Sequence, residues 1–449
     1  MSTTGAPSAA GQQAMGPRQT PRLIPPDGPL SLDDHLARYG AIPFSATAAP
    51  RATAVPALIT EVERSGLTGR GGAGFPAARK MRAVAEAGGR GGPFGSAVGT
   101  VVVANGAESE PASGKDRLLL ARAPHLVLDG IAVAAEAVGA TRAYLCVHDG
   151  GGAPGQQLRE AITGRERAGL NRVPIQVVAV PGGYVASQET ALISFLNGGA
   201  AVPTFIPPRP SDKGAHRRPT LVQNVETLAH IALIARYGAA WFREMGTELA
   251  AGSALVTVGG AIRRPGVYEI SLGTKAGDLV RQAGGPAEPV QAILAGGFFG
   301  GWLPFPAALR LALSDEGLRP AAAFGPGVLM LLPESACGLA ETARVASYLA
   351  SQSAGQCGPC SNGLPALADA IGHIAYGQPA PAALGWTEYL MALVTARGAC
   401  HLPDGTAAIV ASALRVFGGD LRQHAERGPC ARIGRAPVLP TGFDSQAGP

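Results

Sequence analysis

Short apolar runs alternate along the first half of the chain with longer segments in which apolar residues recur at helical spacing. A helix over Ala57–Ser65 leads into a glycine-rich loop, and another leaves it near Phe75–Pro76. The run VVVAN, Val101–Asn105, is of the kind buried in a parallel sheet. Asp116–Gly139 then reads as one long helix with apolar residues on more than one face, and Ala143–His148 as the next strand. A helix over Gly155–Thr163, a strand over Ile175–Pro181 and a helix over Glu189–Leu196 continue the series. This alternation predicts an α/β layer on a mostly parallel sheet, a first domain at 51–247. Its ligand is expected in the crevice at the carboxyl ends of the strands.

Around Ser253–Pro333 the pattern changes. ALVTVGG, RRPGVYEI with its Pro-Gly turn, the helical AGDLVRQAGG and then AILAGGFFGGWLP predict a β-grasp-like domain over 253–333. From Ser335 the strand pattern stops. Helices over Leu339–Ser351, Leu364–His373, Trp386–Thr395 and Thr406–Glu426 predict a bundle over 335–428. Residues 1–50 are rich in Pro, Ala, Ser and Gly and are expected to be largely disordered, apart from a short helix around Ser31–Tyr39. Residues 429–449 are expected to form a flexible tail.

Composition narrows the function classes. With 46% apolar and 15% charged residues in 449, most of the chain should fold, and into more than one domain. The formal charge of +5 is scattered, with no long basic run, so nucleic acid is not an expected partner. No segment has the pattern of a secretory signal or a membrane span, which predicts a cytoplasmic protein and leaves open a peripheral place on a membrane complex. Six cysteines in such a chain favour metal ligation or buried thiols over disulfides.

Five stretches carry candidate chemistry. Gly66–Lys80, GLTGRGGAGFPAARK, is a loop that can bring bare backbone against a ligand before a helix starts, with Arg70 and Lys80 near enough to suit a phosphate. Asn105-Gly-Ala-Glu108-Ser-Glu110-Pro111 follows the first strand. Its carboxylates and amide could accept bonds from sugar hydroxyls or an amide-bearing ring, or could simply cap the next helix, where Asp116 opens the first turn. Tyr184-Val-Ala-Ser187-Gln188-Glu189 and Gln223-Asn224-Val225-Glu226 are further polar turns, and side-chain amides such as those of Gln223 and Asn224 suit the edge of a flavin ring. Cys357-Gly-Pro-Cys360 with Cys400 suits an iron–sulfur or zinc site; a thioredoxin-like redox pair competes, without the β–α context it needs. Cys146 and Cys337 read as buried thiols.

Taken together, GRGGAGFP, NGAESEP with KDR, Tyr184 followed by QETAL, QNVETL, RPGVYE and QCGPC with a distant Cys400 resemble, in order, the flavoprotein subunit (51 kDa or F type) of respiratory NADH:quinone oxidoreductase, also found in NAD-reducing hydrogenases and formate dehydrogenases. The second block also resembles the flavin- and NADH-binding subunit of Rnf-type ferredoxin oxidoreductases. The resemblance covers roughly residues 55–420. It implies a Rossmann-like FMN domain, a soluble-ligand-binding β-grasp (SLBB) domain and a C-terminal helical bundle with a 4Fe–4S cluster. Gly69, Arg70, Gly71, Gly72, Gly74 and Lys80 would then cradle FMN, with Asn105, Tyr184, Gln223 and Asn224 lining the rest. Phe75 and Glu110 would face the nicotinamide nucleotide, Glu108 and Glu189 would be the catalytic carboxylates, and Cys357, Cys360 and Cys400 the cluster ligands. The implied partner is an electron-transfer protein, ferredoxin-like or a thioredoxin-like 2Fe–2S subunit, within a hetero-oligomer.

Some family positions are changed. Ala354 stands at the first cysteine of the Ser-Cys-Gly-x-Cys-x-x-Cys motif, leaving Ser353, His401, Cys430, water or a partner to supply a fourth ligand. Ala83 replaces an aromatic, Arg209 ends the segment that is Lys-Pro-Pro-Phe in the family, and Gln188 and Ala107 replace carboxylates. Three readings follow. One is an oxidoreductase subunit moving electrons between NAD(P)H or a ferredoxin-like donor and a partner, through FMN and the cluster. Another is a non-catalytic scaffold that keeps the fold. A sugar- or cobalamin-like ligand of the SLBB domain is a third.

Overall fold

The computed structural model describes residues 21–26, 28–42, 51–89, 99–148, 152–377 and 382–441. Strand β1 (Thr100–Gly106) lies between β2 (Ala140–His148) and β4 (Thr220–Asn224), with β3 (Ile175–Val180) outside β2, and all three pairings are parallel. Side chains alternate between the two faces of the sheet. Val102, Ala104, Leu145 and Leu221 join a core with helices Ala77–Gly89, Pro124–Val138 and Val225–Arg243; Val101, Val103, Cys146 and Val222 face helix Glu189–Leu196 instead. Helices Pro124–Val138 and Val225–Arg243 meet at Gly130, where a Cβ would lie 2.0 Å from the Leu228 carbonyl oxygen. No larger residue fits there without moving a helix.

The helix expected over Asp116–Gly139 is two helices, Lys115–Arg122 and Pro124–Val138, bent by 95°. Pro124 has no N–H to continue the ladder, so the chain turns and restarts. The span expected over Thr406–Glu426 is likewise Leu402–Val416 and Gly418–Arg427, parted at Phe417. Strand β4 is the edge strand beside β1, although its last residues, Gln223 and Asn224, read as a turn in the sequence.

The second sheet runs β6-β5-β9-β7-β8, from β5 (Ser253–Gly260), β6 (Gly266–Ser271), β7 (Val290–Ala295), β8 (Gly301–Pro304) and β9 (Val328–Pro333). Helix Ala276–Gln282 covers one face, the grasp arrangement. The other face shares a core with helices Gly338–Ser351, Leu364–Tyr376, Ala383–Val394 and Leu402–Val416. Trp302 is fully buried there; its indole donates to Thr342 Oγ1 at 3.0 Å and meets Phe417 edge-on.

Both flanks are more ordered than their composition suggests. Residues 1–20 and 43–50 lie outside the described residues, but Leu23, His35 and Tyr39 are buried, and Ser31 caps helix Leu32–Tyr39. The backbone amides of Arg22 and Leu23 each donate to Glu269 Oε2 at 2.8 Å, and the Arg22 guanidinium lies 3.7 Å from the Trp241 ring centre. The tail to residue 441 is also packed: the amides of Val438 and Leu439 donate to the Glu341 carboxylate at 3.2 and 2.9 Å, and Leu439 is buried. A few specific anchors outweigh a polar, Pro-rich composition. Among the described residues, no single helix is long and apolar enough to cross a membrane.

Candidate functional site

Strand order reverses at β1, since the chain runs out to β2 and β3 and returns to β4 on β1's other side. Neighbouring strands that diverge this way leave a crevice at their carboxyl ends. Asn105, next to last in β1, and Asn224, last in β4, are register partners. The glycine loop closes over them: the Gly69 amide donates to the Phe75 carbonyl at 2.8 Å and the Ala77 amide to the Leu67 carbonyl at 3.0 Å. A Cβ on Gly71 would come 3.3 Å from the Asn224 Cβ, and Gly72 has φ +109°, so glycine is needed for both approach and conformation.

The two basic residues of the loop diverge. Lys80 reaches the crevice, where its Nζ donates to Glu189 Oε2 at 2.7 Å and to the Val222 carbonyl at 3.4 Å. Arg70 is buried and turned away; its guanidinium donates to the carbonyls of Thr68, Ala251 and Ser253, and its backbone amide to Thr227 Oγ1. Its guanidinium therefore ties the loop to the second domain and offers no charge to a phosphate in the crevice. Phe75 is 38% exposed, with the Arg79 guanidinium over its ring.

Below the loop lies a buried ionic knot. Lys115 Nζ meets Asp116 Oδ1 at 2.6 Å, Glu226 Oε2 at 2.9 Å and Asn224 Oδ1 at 3.3 Å, while Asn224 Nδ2 donates to Asp116 Oδ2 at 2.7 Å. Burial lifts the Asp116 carboxyl to about 6 against the pull of Lys115. At Glu226 burial acts in the same direction, but Lys115, His230 and Arg70 together hold the group at about 2. Glu108 caps the helix from Lys115: it accepts from the Ser113 hydroxyl at 2.5 Å and from the amides of Asp116 and Arg117 at 3.2 and 3.3 Å. Gln223 is buried, yet its Nε2 has no partner. A buried amide donor without an acceptor is costly unless a ligand supplies one.

Glu110 and Tyr184 are both buried and bond to each other. The Tyr184 hydroxyl donates to Glu110 Oε2 at 2.9 Å, and the same oxygen accepts the Phe298 amide at 2.8 Å. Burial is the main cause that raises the Glu110 carboxyl to about 7. Tyr184 packs among Phe298, Phe299 and Tyr348, and its backbone amide donates to Gln352 Oε1 at 2.9 Å. No pattern in the sequence marks Gln352. Beside Glu189, a cleft of about 870 Å³ is lined by Thr190, Ser194, Asn197, Lys213, His216 and Arg217, the last two with left-handed φ of 52° and 60°. These basic residues too escape sequence reasoning, which sees only separate charges.

The bundle brings Cys357, Cys360 and Cys400 together, with the Ser353 hydroxyl hydrogen-bonded to Cys360. The amides of Cys360 and Ser361 close the turn on the Cys357 carbonyl at 3.0 and 2.9 Å. Burial raises Cys360 to about 11; at Cys357 burial is outweighed by the amides of Ala399 and Cys360, which lower it. Of the other donors left open by the sequence, His401 is 91% exposed and faces Asp404, and Cys430 lies elsewhere, with Cys337 and His424.

Family models match three parts of the chain: the Nuo51 FMN-binding domain at 62–233, the SLBB domain at 255–298 and the NADH-ubiquinone oxidoreductase-F iron-sulfur binding region at 335–424. The second F-type subunit of NADH-quinone oxidoreductase in Rhizobium meliloti is 30% identical over 386 residues, which cover 83% of this chain and 90% of that protein. The chain belongs to the F-type (51 kDa) flavoprotein family of NADH-quinone oxidoreductase. The F-type relative from Aquifex aeolicus is 32% identical over 339 residues, covering 72% of this chain and 75% of that one. A crystal structure of an NAD+-reducing NiFe-hydrogenase in the H2-reduced state superposes with TM-score 0.74 at 32% identity over 85% of this chain; the match spans 64% of the hydrogenase chain.

The residues present fit both groups that bind the family's domains. Gln223 Nε2 lacks an acceptor, and the loop presses bare backbone on the strand ends, as a flavin site requires. Three thiols and one hydroxyl form a donor set that suits an iron–sulfur cluster with one non-thiolate corner.

Proposed function

We propose that this chain is a flavin-dependent electron-transfer subunit, taking electrons from NAD(P)H or a ferredoxin-like donor and passing them to a protein partner of a hetero-oligomer. Lys80 and the loop amides hold the FMN phosphate, while Asn105, Gln223 and Asn224 meet the ring edge. Bound FMN supplies the exchange between two-electron and one-electron chemistry. Glu189 fixes Lys80, and Glu108 holds the start of the helix that carries Lys115 and Asp116. The open side by Phe75 and the cleft with Lys213, His216 and Arg217 offer apolar and cationic surface to a nucleotide. Cys357, Cys360 and Cys400 hold the cluster, with Ser353 Oγ as its fourth donor.

One observation carries the reading. Tyr184 joins the two sites within a single packed core: its hydroxyl binds Glu110 of the loop after β1, and its amide binds Gln352, which adjoins Ser353. The test is the absorbance spectrum of anaerobically purified protein before and after NADH, then NADPH. A flavin band that bleaches supports the proposal; a colourless protein overturns it in favour of a scaffold.

A further inference from the structure

A second group of metal-type donors lies apart from the cluster cysteines. Cys337 precedes helix Gly338–Ser351, His424 sits in helix Gly418–Arg427, and Cys430 follows that helix. All three are buried, and Cys337 Sγ, His424 Nε2 and Cys430 Sγ lie within 4.8 Å of one another. Among the described residues this is the one set of three Cys, His or carboxylate donors so convergent. Cys337 Sγ is 3.8 Å from His424 Nε2, close to the edge of a tetrahedron built from zinc–sulfur and zinc–nitrogen bonds of about 2.3 and 2.0 Å.

The surroundings are arranged for ligation. His424 Nδ1 lies 3.1 Å from the Ile374 carbonyl, which can only accept, so the ring proton sits on Nδ1 and Nε2 is the ring's acceptor, with Cys337 Sγ 3.8 Å away. A backbone carbonyl fixing the far nitrogen is the usual support of a metal-bound histidine. Each sulfur also has its own donors: the amides of Leu339 and Ala340 point at Cys337, and the Arg432 guanidinium at Cys430. Burial still prevails over these donors and raises the Cys337 thiol to about 12, so the cation itself must displace the proton. Cys146 differs in its surroundings. It is equally buried, but its neighbours in the core are Val101, Val103 and Leu192 and it has no polar donor.

We propose that Cys337, His424 and Cys430 bind one thiophilic d10 cation, Zn2+ or Cu+, as a centre separate from Cys357, Cys360 and Cys400. Binding releases two thiol protons and uses neutral imidazole. With Zn2+ the site is then neutral; with Cu+ it carries a single negative charge beside Arg432, which it shares with Asp420. The Cys430 amide, which donates to Nε2 at 3.1 Å, gives up that bond when the ion takes the lone pair. The ion clasps the last helix and the tail to the start of the helix whose far end leads to Ser353.

The test uses full-length protein purified anaerobically from cells supplied with zinc or, separately, with copper. Elemental analysis should find about one such ion per chain beside iron. X-ray absorption at that element's edge should show two sulfur neighbours and one nitrogen, with one further light ligand for Zn2+ and none for Cu+. C337A/C430A should lose the ion and keep iron and flavin, whereas C357A/C360A should lose iron and keep the ion. Zinc or copper at background level in the parent overturns the proposal, as does a Cys337–Cys430 disulfide found there by mass spectrometry. Retention of the ion by C337A/C430A, or its loss only from C357A/C360A, overturns it too. If C337A/C430A does not fold, the parent's own metal content and ligand sphere decide.

Discussion

Lys80 and Arg70 flank the same glycine turn and meet opposite fates, one at a half-exposed carboxylate and the other among buried carbonyls. Only Lys80 can offer charge to an anion in the crevice. Lys80→Glu should therefore lower flavin per purified chain to background; unchanged flavin content would place the phosphate elsewhere. Glu110 makes a different prediction. Burial lifts its carboxyl from an ordinary 4.5 to about 7, so the folded state holds this proton more tightly than the unfolded chain. Its contribution to stability is complete below about pH 4.5 and is lost as pH rises through about 7. Over that window the wild type should lose on the order of 3 kcal/mol of unfolding free energy that Glu110→Gln does not lose. Urea titrations at the two ends of the window measure it, and parallel curves for the two proteins would show that Glu110 does not titrate there.

At the scale of elements, charge in the interior fixes how helices pack. Asp129, on helix Pro124–Val138, is buried with His35 Nε2 at 2.6 Å and Arg165 Nη2 at 2.6 Å, and it also pairs with Arg236. Burial alone would raise its carboxyl, but His35, Arg165 and Arg236 bring it down to about 2. Four helices thus converge on one carboxylate. Asp129→Ala leaves two guanidinium groups buried without their counter-charge and should cost about 3–5 kcal/mol of unfolding free energy by urea denaturation. A cost below about 1 kcal/mol, the level of a surface pair, would mean that water reaches the site. The sharp bend before this helix is not legible from apolar periodicity, which continues across Ala123 and Pro124; the missing N–H of Pro124 is the available signal.

Across the whole molecule, the parts are joined by polar anchors more than by linkers. Glu269 receives the N-terminal segment, Arg70 ties the glycine loop to the second domain, and Glu341 receives the tail. The cluster loop is attached to this frame through Gln352, and its one departure from the family sits at Ala354. An oxygen donor such as Ser353 binds iron less tightly than thiolate. Purified wild type should accordingly carry fewer than the four irons of a full cluster, and Ala354→Cys should raise iron per chain. Air-stable protein with a full complement of iron and sulfide, or no gain in Ala354→Cys, would show that the fourth corner is already well held.

The sequence by itself determined the α/β alternation of the first domain, the change to a β-grasp and then to helices, and the stretches that hold the chemistry. Apolar periodicity and residue type report those locally, and the run of motifs, from GRGGAGFP to QCGPC, resembles one family without any knowledge of the fold. Only the tertiary structure decided where each side chain of those stretches points. Lys80 faces the crevice while Arg70 leaves it, Glu108 caps a helix, and Glu110 and Tyr184 turn into the core. It also decided that Thr220–Asn224 forms an edge strand beside β1 and that Cys337, His424 and Cys430 meet in one buried place. These are long-range outcomes: direction and burial depend on partners distant in sequence, and local patterning carries no record of them.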